Sequence, residues 1–400
     1  MFETQIMKAK GERKNMIAKE KFHLLNIYIL CVYLLMLPID AALGNIWGSI
    51  SLINYVALMY TIMRIIYIFI CDRKIYIKGI KNNKFIYFHL IYCILSTLWK
   101  QTQEINMWYI MSLLTAVLVF ILAITDKYSD KDAKRIKNSL FYSVLAIIGA
   151  YLFLADYYSE NGRLVFNSSK AMDPNYFAIC LSIIVAVLFN NIIKNKNMII
   201  SLMFIIIVFF IIILTGSRSG LIANIATILM SFGFTKIKPM KKIVIILLVI
   251  MTSVIIVANI NKLLPEKILK RFSIEYTQND GGAGRIYIWR AGLEKFKNNS
   301  IAREFFGTGF GTYRYVVTEY SKVAHNVYIQ ILVEQGIVGA FIFLCFIIKT
   351  LLDAIKQKKY VELAAISGLL IGAIAIDINI TRTFWIALFL IYVDFNLEKV

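Results

Sequence analysis

Long apolar runs separated by short polar stretches recur along almost the whole chain. They lie at residues 22–39, 46–70, 85–99, 106–124, 139–156, 174–192, 198–214, 221–233, 243–259, 326–348, 362–379 and 382–396. Most are long enough to cross a bilayer's hydrocarbon core of roughly 30 Å as a helix. A soluble chain of 400 residues could not hide this much apolar surface, with 59% hydrophobic residues and a mean hydropathy of +0.70. In lipid every backbone polar group must be satisfied internally, which selects helices. The expected fold is therefore all-α, a polytopic integral membrane protein of about twelve transmembrane helices. The expected organisation is a basic cytoplasmic tail over 1–21, nine spans over 22–259, a long external loop with short amphipathic helices over 260–325, and three spans over 326–396.

The net charge of +20 could be read as a nucleic-acid footprint, but its distribution excludes that reading. Lysines and arginines crowd into alternate loops, 71–84, 125–138, 234–242 and 349–360, with two more lysines in 193–197. The intervening loop 40–45 carries no Lys or Arg and 100–105 a single lysine. This is the positive-inside pattern, and it predicts that both termini are cytoplasmic and that 260–325 is external. No nucleic-acid partner is expected; the membrane lipid itself is. The N-terminal stretch is too long and polar for a signal peptide and is read as an uncleaved tail. The five cysteines sit within or beside apolar runs, so neither a disulfide framework nor a thiolate metal site is expected. No internal repeat indicates paired inverted halves.

On this topology Arg163, Asp173, Arg218, Arg285, His325 and Arg382 all fall at the external face, where charge is otherwise sparse. "TGSRSG" (215–220) joins two spans tightly. It reads either as a turn with a snorkelling arginine or as a guanidinium held at the surface for a phosphate. "NGRLVFNSSKAMDPNYFA" (161–178) ends in a helix start, with Asp173 as N-cap and a proline after it. Capping accounts for Asp173, whereas Arg163 and Asn175 have no such explanation. "GRIYIWRAGLEKF" (284–296) places Ile286, Trp289, Leu293 and Phe296 at helical spacing, an amphipathic helix with Trp289 as an interfacial anchor. "GTGFGTY" (307–313) lacks the lysine of a phosphate loop and reads as a flexible turn. "SDKD" (129–132) has a metal-binding spacing but sits among lysines and reads as a solvated charge run.

Of the three histidines, His23 and His89 start or lie within spans and are read as structural. His325 opens "HNVYIQILVEQGIVG", where Asn326, Gln330 and Glu334 follow at four-residue spacing on one helical face. A carboxylate so placed needs a partner, a wet cavity or a role. It is expected to line a wet inner wall, and either to orient the site through an arginine such as Arg382 or, the favoured reading, to hold the helix in register by hydrogen bonds. Gly336 and Gly339 are expected to admit a neighbouring helix.

In order, "DPNYFA", "TGSRSG", "GRIYIW", "GTGFGTY" and "HNVYIQILVEQGIVG" resemble the O-antigen polymerase and O-antigen ligase superfamily of bacterial envelope glycosyltransferases. Motif support covers about residues 160–345. The resemblance implies an undecaprenyl-diphosphate-linked oligosaccharide donor, a glycan or lipid-linked glycan acceptor, and a place in the bacterial inner membrane with the site facing outward. It implies the catalytic roles for Arg218, Arg285 and His325, and leaves Arg163, Asp173, Asn175, Asn326, Glu334 and Arg382 as candidates for substrate binding. It also implies a flippase and a chain-length regulator as partner proteins. Two arginines can stabilise a departing lipid diphosphate without a metal, and a histidine can serve as base, so neither metal nor cofactor is expected. A single displacement would invert the anomeric centre. "SRSG" and "DPN" favour a repeat-unit polymerase over a ligase that joins polymer to a lipid core. A flippase for the same lipid is the alternative of another class, and would place charge near the bilayer midplane.

Overall fold

The computed structural model describes residues 2–40, 51–72, 83–157, 162–166, 173–235, 237, 239–243, 265–273, 281–282 and 284–393, with side chains from residue 17. The helices are α1 (Phe2–Met36), α2 (Leu52–Tyr67), α3 (Lys84–Ser96), α4 (Met107–Ile124), α5 (Asp130–Leu154), α6 (Pro174–Cys180), α7 (Ser182–Ile193), α8 (Met198–Leu214) and α9 (Arg218–Phe234). Short helices α10 (Glu266–Phe272), α11 (Arg285–Lys297), α12 (Ile301–Phe306) and α13 (Tyr313–Val316) follow. The chain then enters α14 (Val327–Lys356), α15 (Tyr360–Gly372) and α16 (Arg382–Tyr392). Among the described residues six segments are long and apolar enough to cross a membrane by length and composition, and five shorter apolar helices accompany them. The run at 243–259 lies almost wholly outside the described residues. The tail does not stop short of the first span, because α1 is one helix from Phe2 onward.

A departure from pure helix is a two-stranded antiparallel hairpin, β1 (Ala155–Tyr157) with β2 (Leu164–Phe166), in which Tyr157 pairs with Leu164. It holds Arg163 immediately ahead of β2.

Apolar side chains gain little from leaving lipid for protein, so helices here must be joined by close packing and hydrogen bonds. Glycines make the tightest joint, where α15 lies on α9 and α7. A Cβ at Gly368 would fall 1.9 Å from Thr227 Oγ1 and 2.7 Å from the Ala223 carbonyl oxygen. One at Gly220 would fall 2.3 Å from Ala178 Cβ, and one at Gly372 2.4 Å from Ile179. Asn224 cross-links the same region by donating to the Ala178 carbonyl at 2.8 Å.

At one end of the bundle the chain buries a charged cluster. Arg64 is fully enclosed and meets Asp126 at 3.0 Å and the Thr125 carbonyl at 3.1 Å. Asp132 closes a capping box with Ser129 at the start of α5 and pairs with Arg135 at 2.8 Å, with His23 3.6 Å away. The "SDKD" stretch is thus not simply solvated: its second aspartate is buried and builds the helix start. His89 is buried beside Phe343 and Phe346, with Nε2 3.0 Å from Asn379 Oδ1, in keeping with a structural role.

The loops that charge alternation assigns to one side meet one another. Lys241 donates to the Ile193 carbonyl at 2.5 Å. At the other end Asn106 donates to the Gly311 carbonyl at 2.9 Å, and Arg163 to the Thr215 carbonyl at 2.8 Å.

Candidate active site

The turn 215–220 anchors the site. Gly216 takes φ +59°, and Ser217 caps α9 by accepting from Gly220 N at 3.1 Å. The turn is tied to the start of α6 through Asn175. Its Oδ1 accepts from Ser217 Oγ at 2.8 Å and from Arg163 Nη2 at 3.3 Å. Its Nδ2 donates to Asp173 Oδ1 at 2.6 Å. Arg163 and Asn175 therefore strap α6 to the turn.

Asp173 has two faces. Oδ1 caps α6 by accepting from Asn175 N at 2.8 Å, as its place before Pro174 predicts. Oδ2 lies 3.7 Å from His325 Nδ1 and 3.9 Å from Arg285 Nη2. The turn, the α6 start, α11 and the segment before α14 therefore converge.

Arg285 is the first residue of α11, as Arg218 is of α9. Cations at helix N-termini face the positive end of the helix dipole, an arrangement that a bound anion makes favourable. The guanidinium of Arg285 is held below its ordinary pKa, first by burial and then by Arg218 and Arg271, while Asp173 opposes the shift. Arg271 lies over the turn, and a Cβ at Gly216 would touch its Cδ and Nε at 3.1 Å. Arg285 thus meets Asp173, with Arg218 and Arg271 close enough to act on its charge.

Arg271 is not among the candidates read from the sequence. It sits in "EKILKRF" among lysines and looks like solvated charge. The available signal was spacing: Ile268 and Arg271 are three apart and form the buried face of α10.

His325 does not lie in the first turn of α14. It precedes Asn326, which is the N-cap and accepts from Tyr328 N at 3.0 Å and Ile329 N at 3.2 Å. His325 adopts φ +49°, an uncommon conformation for a side-chain-bearing residue. Among the described residues its buried Nδ1 has no hydrogen-bond partner, because 3.7 Å to Asp173 exceeds bonding distance. Burial lowers the imidazole pKa from 6.5; Asp173 opposes this, and Arg285 and Lys322 reinforce it. The ring is neutral more readily than a free histidine, as a base requires.

The polar stripe below is engaged inside the fold rather than facing a wet wall. Gln330 Oε1 accepts from Ala324 N at 2.9 Å, which fixes the segment leading to His325. Gln330 Nε2 donates to Glu334 Oε1 at 2.5 Å. Glu334 also accepts from Gly311 N at 3.0 Å and Tyr313 N at 2.9 Å. Arg382 is not its partner: that arginine pairs with Asp40 and Asn54, linking α16 to α2 and the end of the first span.

"GTGFGTY" is consequently a fixed loop. Gly307, Gly309 and Gly311 all take positive φ. Thr308 N and Gly309 N donate to the carbonyls of Val333 at 3.1 Å and Glu334 at 2.8 Å. Gly336 breaks α14 at φ +67°, ψ −168°. A Cβ there would lie 2.4 Å from the Phe305 carbonyl oxygen and 2.6 Å from Gly307 N, so it admits the end of the short helix α12 and the start of the loop. Gly339 does face α3, through Tyr92.

Trp289 is not a lipid anchor, because its indole N–H donates to the Ala324 carbonyl at 2.9 Å, next to His325. The packed face of α11 is Ile288 with Gly292, while Ile286 is exposed.

With this geometry in place, comparison with known families is decisive. Residues 202–344 match the O-antigen ligase family model. The match spans 143 of the chain's 400 residues and supports the resemblance to the O-antigen polymerase and ligase superfamily read from the motifs. The match supports a membrane enzyme of the O-antigen ligase or polymerase type. The matched segment holds Arg218, Arg271, Arg285, His325 and Glu334, but not Arg163, Asp173, Asn175 or Arg382. No curated protein matches the chain.

Proposed function

We propose that the protein transfers an undecaprenyl-diphosphate-linked glycan onto a glycan hydroxyl at the external face of the cytoplasmic membrane, as a repeat-unit polymerase. The observation that carries this reading is the meeting of Arg285 and His325 at Asp173, with Arg218 and Arg271 acting on Arg285. The arginines take the donor's diphosphate, for which planar five-donor groups are well suited. An anion between them also relieves their mutual repulsion.

His325 removes the proton of the acceptor hydroxyl as that oxygen attacks the anomeric carbon. The bond from that carbon to the diphosphate oxygen breaks, and its electron pair leaves with the lipid diphosphate. The arginines stabilise the charge where it develops. Asp173 orients the imidazole and stabilises its protonated form, the role a carboxylate plays beside a catalytic histidine. One displacement inverts the anomeric centre, and neither metal nor cofactor takes part. The external placement rests on the lysine-rich loops at the opposite end of the bundle.

A ligase uses the same chemistry with a lipid-core acceptor. Surface glycan from a deletion strain separates the two. Single repeat units on the final lipid acceptor support the polymerase; lipid-linked polymer with none transferred identifies a ligase and refutes the polymerase assignment.

A further inference from the structure

A cavity of about 720 Å³ opens at the end of the bundle away from the arginines. The same helices join the two places. The α6–α7 segment runs from Pro174, beside the site, to the cavity residues Asn190 and Asn191. Helix α9 begins with Arg218 and ends just before Thr235, and α14 begins after Asn326 and ends at Gln357. Thr235 and Gln357 line the cavity.

Its lining has two chemistries. Lys137, Lys194, Lys196, Lys358 and Lys359 contribute positive charge, against the single acidic residue Glu362. Leu140, Phe141, Ile183 and Ala365 supply an apolar wall. Lys359 is committed to the fold, donating to the carbonyls of Leu390 at 3.0 Å, Ile391 at 2.7 Å and Val393 at 2.6 Å. Lys194, Lys196 and Lys358 are exposed just past the ends of α7 and α14, and Lys137 is exposed two turns into α5. Lys358 follows the α14 C-cap with φ +57°, a position where glycine is usual.

We propose that this cavity is a binding site for an anionic phospholipid. The phosphate lies among Lys137, Lys194, Lys196 and Lys358, and the first part of the acyl chains lies against Leu140, Phe141 and Ile183. Positive charge alone would suit any phosphate. The apolar wall at the level of the helix ends, in a volume of ligand size, selects a molecule with both parts. The site is separate from the glycan chemistry and does not depend on it.

The test uses the purified full-length protein. Native mass spectrometry compares retention of phosphatidylglycerol with phosphatidylcholine, for wild type, for the triple variant Lys194→Gln/Lys196→Gln/Lys358→Gly, and for Arg218→Ala. With three of the lysines removed, the triple variant should lose roughly a hundredfold of its phosphatidylglycerol retention. Wild type should prefer phosphatidylglycerol to phosphatidylcholine, and Arg218→Ala should behave as wild type. Thermal protection of wild type by phosphatidylglycerol, set against inorganic phosphate, needs no variant. Protection by the lipid alone supports the site. Equal retention of both lipids, an unchanged triple variant, loss of retention in Arg218→Ala, or equal protection by inorganic phosphate would each overturn it.

Discussion

Replacing Glu334 by glutamine removes one acceptor oxygen from a carboxylate that three donors share. Gly311 N reaches Oε2 at 3.0 Å, and Tyr313 N and Gln330 Nε2 reach Oε1 at 2.9 and 2.5 Å. All three neighbours donate, which suits an ionised carboxylate and leaves no place for the NH2 group of glutamine. In its best orientation glutamine keeps the two bonds to Oε1 and turns its amide against Gly311 N. One charge-assisted bond is lost and one buried donor is orphaned, at a cost of about 2–3 kcal/mol. The loop 307–313 and, through Gln330, the segment carrying His325 lose their common anchor. Reversible denaturant unfolding should show the loss in stability, and turnover should fall by about tenfold or more. Glu334→Gln with wild-type stability and abolished turnover would refute the structural assignment and make Glu334 a proton-transferring group.

Gly336→Ala forces a side chain into a conformation essentially reserved for glycine and against the Phe305 carbonyl. It should cost about 3 kcal/mol or more, read as reduced yield of folded protein; normal yield would contradict the kinked helix. The acid limb of kcat/KM should lie below 6.5, because burial lowers the His325 pKa and the base must be neutral. Asp173→Asn removes the charge that raises that pKa and should move the limb further down, whereas Lys322→Gln removes a lowering charge and should move it up. Shifts in one common direction would mean that another group is titrating. A reporter active only outside the cytoplasm should be active when fused near residue 300 and silent at 130 or 354; the reverse would place the arginines on the cytoplasmic side.

The bundle was legible because hydropathy reports spans directly, and because alternating lysine-rich loops sort the connections into two sets that meet in space. Asp173 and Ser217 were legible as caps, since capping is a local rule. The meeting of Arg285 and His325 at Asp173 followed only as a shared face, and its distances needed the fold. Arg271 was hidden because a buried arginine and a solvated one look alike inside a lysine-rich stretch. The partners of Glu334 are backbone N–H groups more than twenty residues earlier, which no side-chain pattern announces. The partner of Arg382 was hidden for the same reason, since Asp40 lies near the other end of the chain. Trp289 has the composition of a membrane anchor, and only the Ala324 carbonyl shows that it turns inward.

The central claim is a division of labour: arginines hold the diphosphate and His325 moves the proton. It is tested by measuring donor binding and turnover together, with purified protein and an undecaprenyl-diphosphate-linked glycan. His325→Ala should keep donor affinity and lose about 10²–10⁴ in rate. Arg285→Ala should lose donor affinity, and Arg285→Lys should recover it only poorly, because a point charge does not replace the fork. Donor affinity lost in His325→Ala in proportion to turnover, or full activity in Arg285→Lys, would contradict the account.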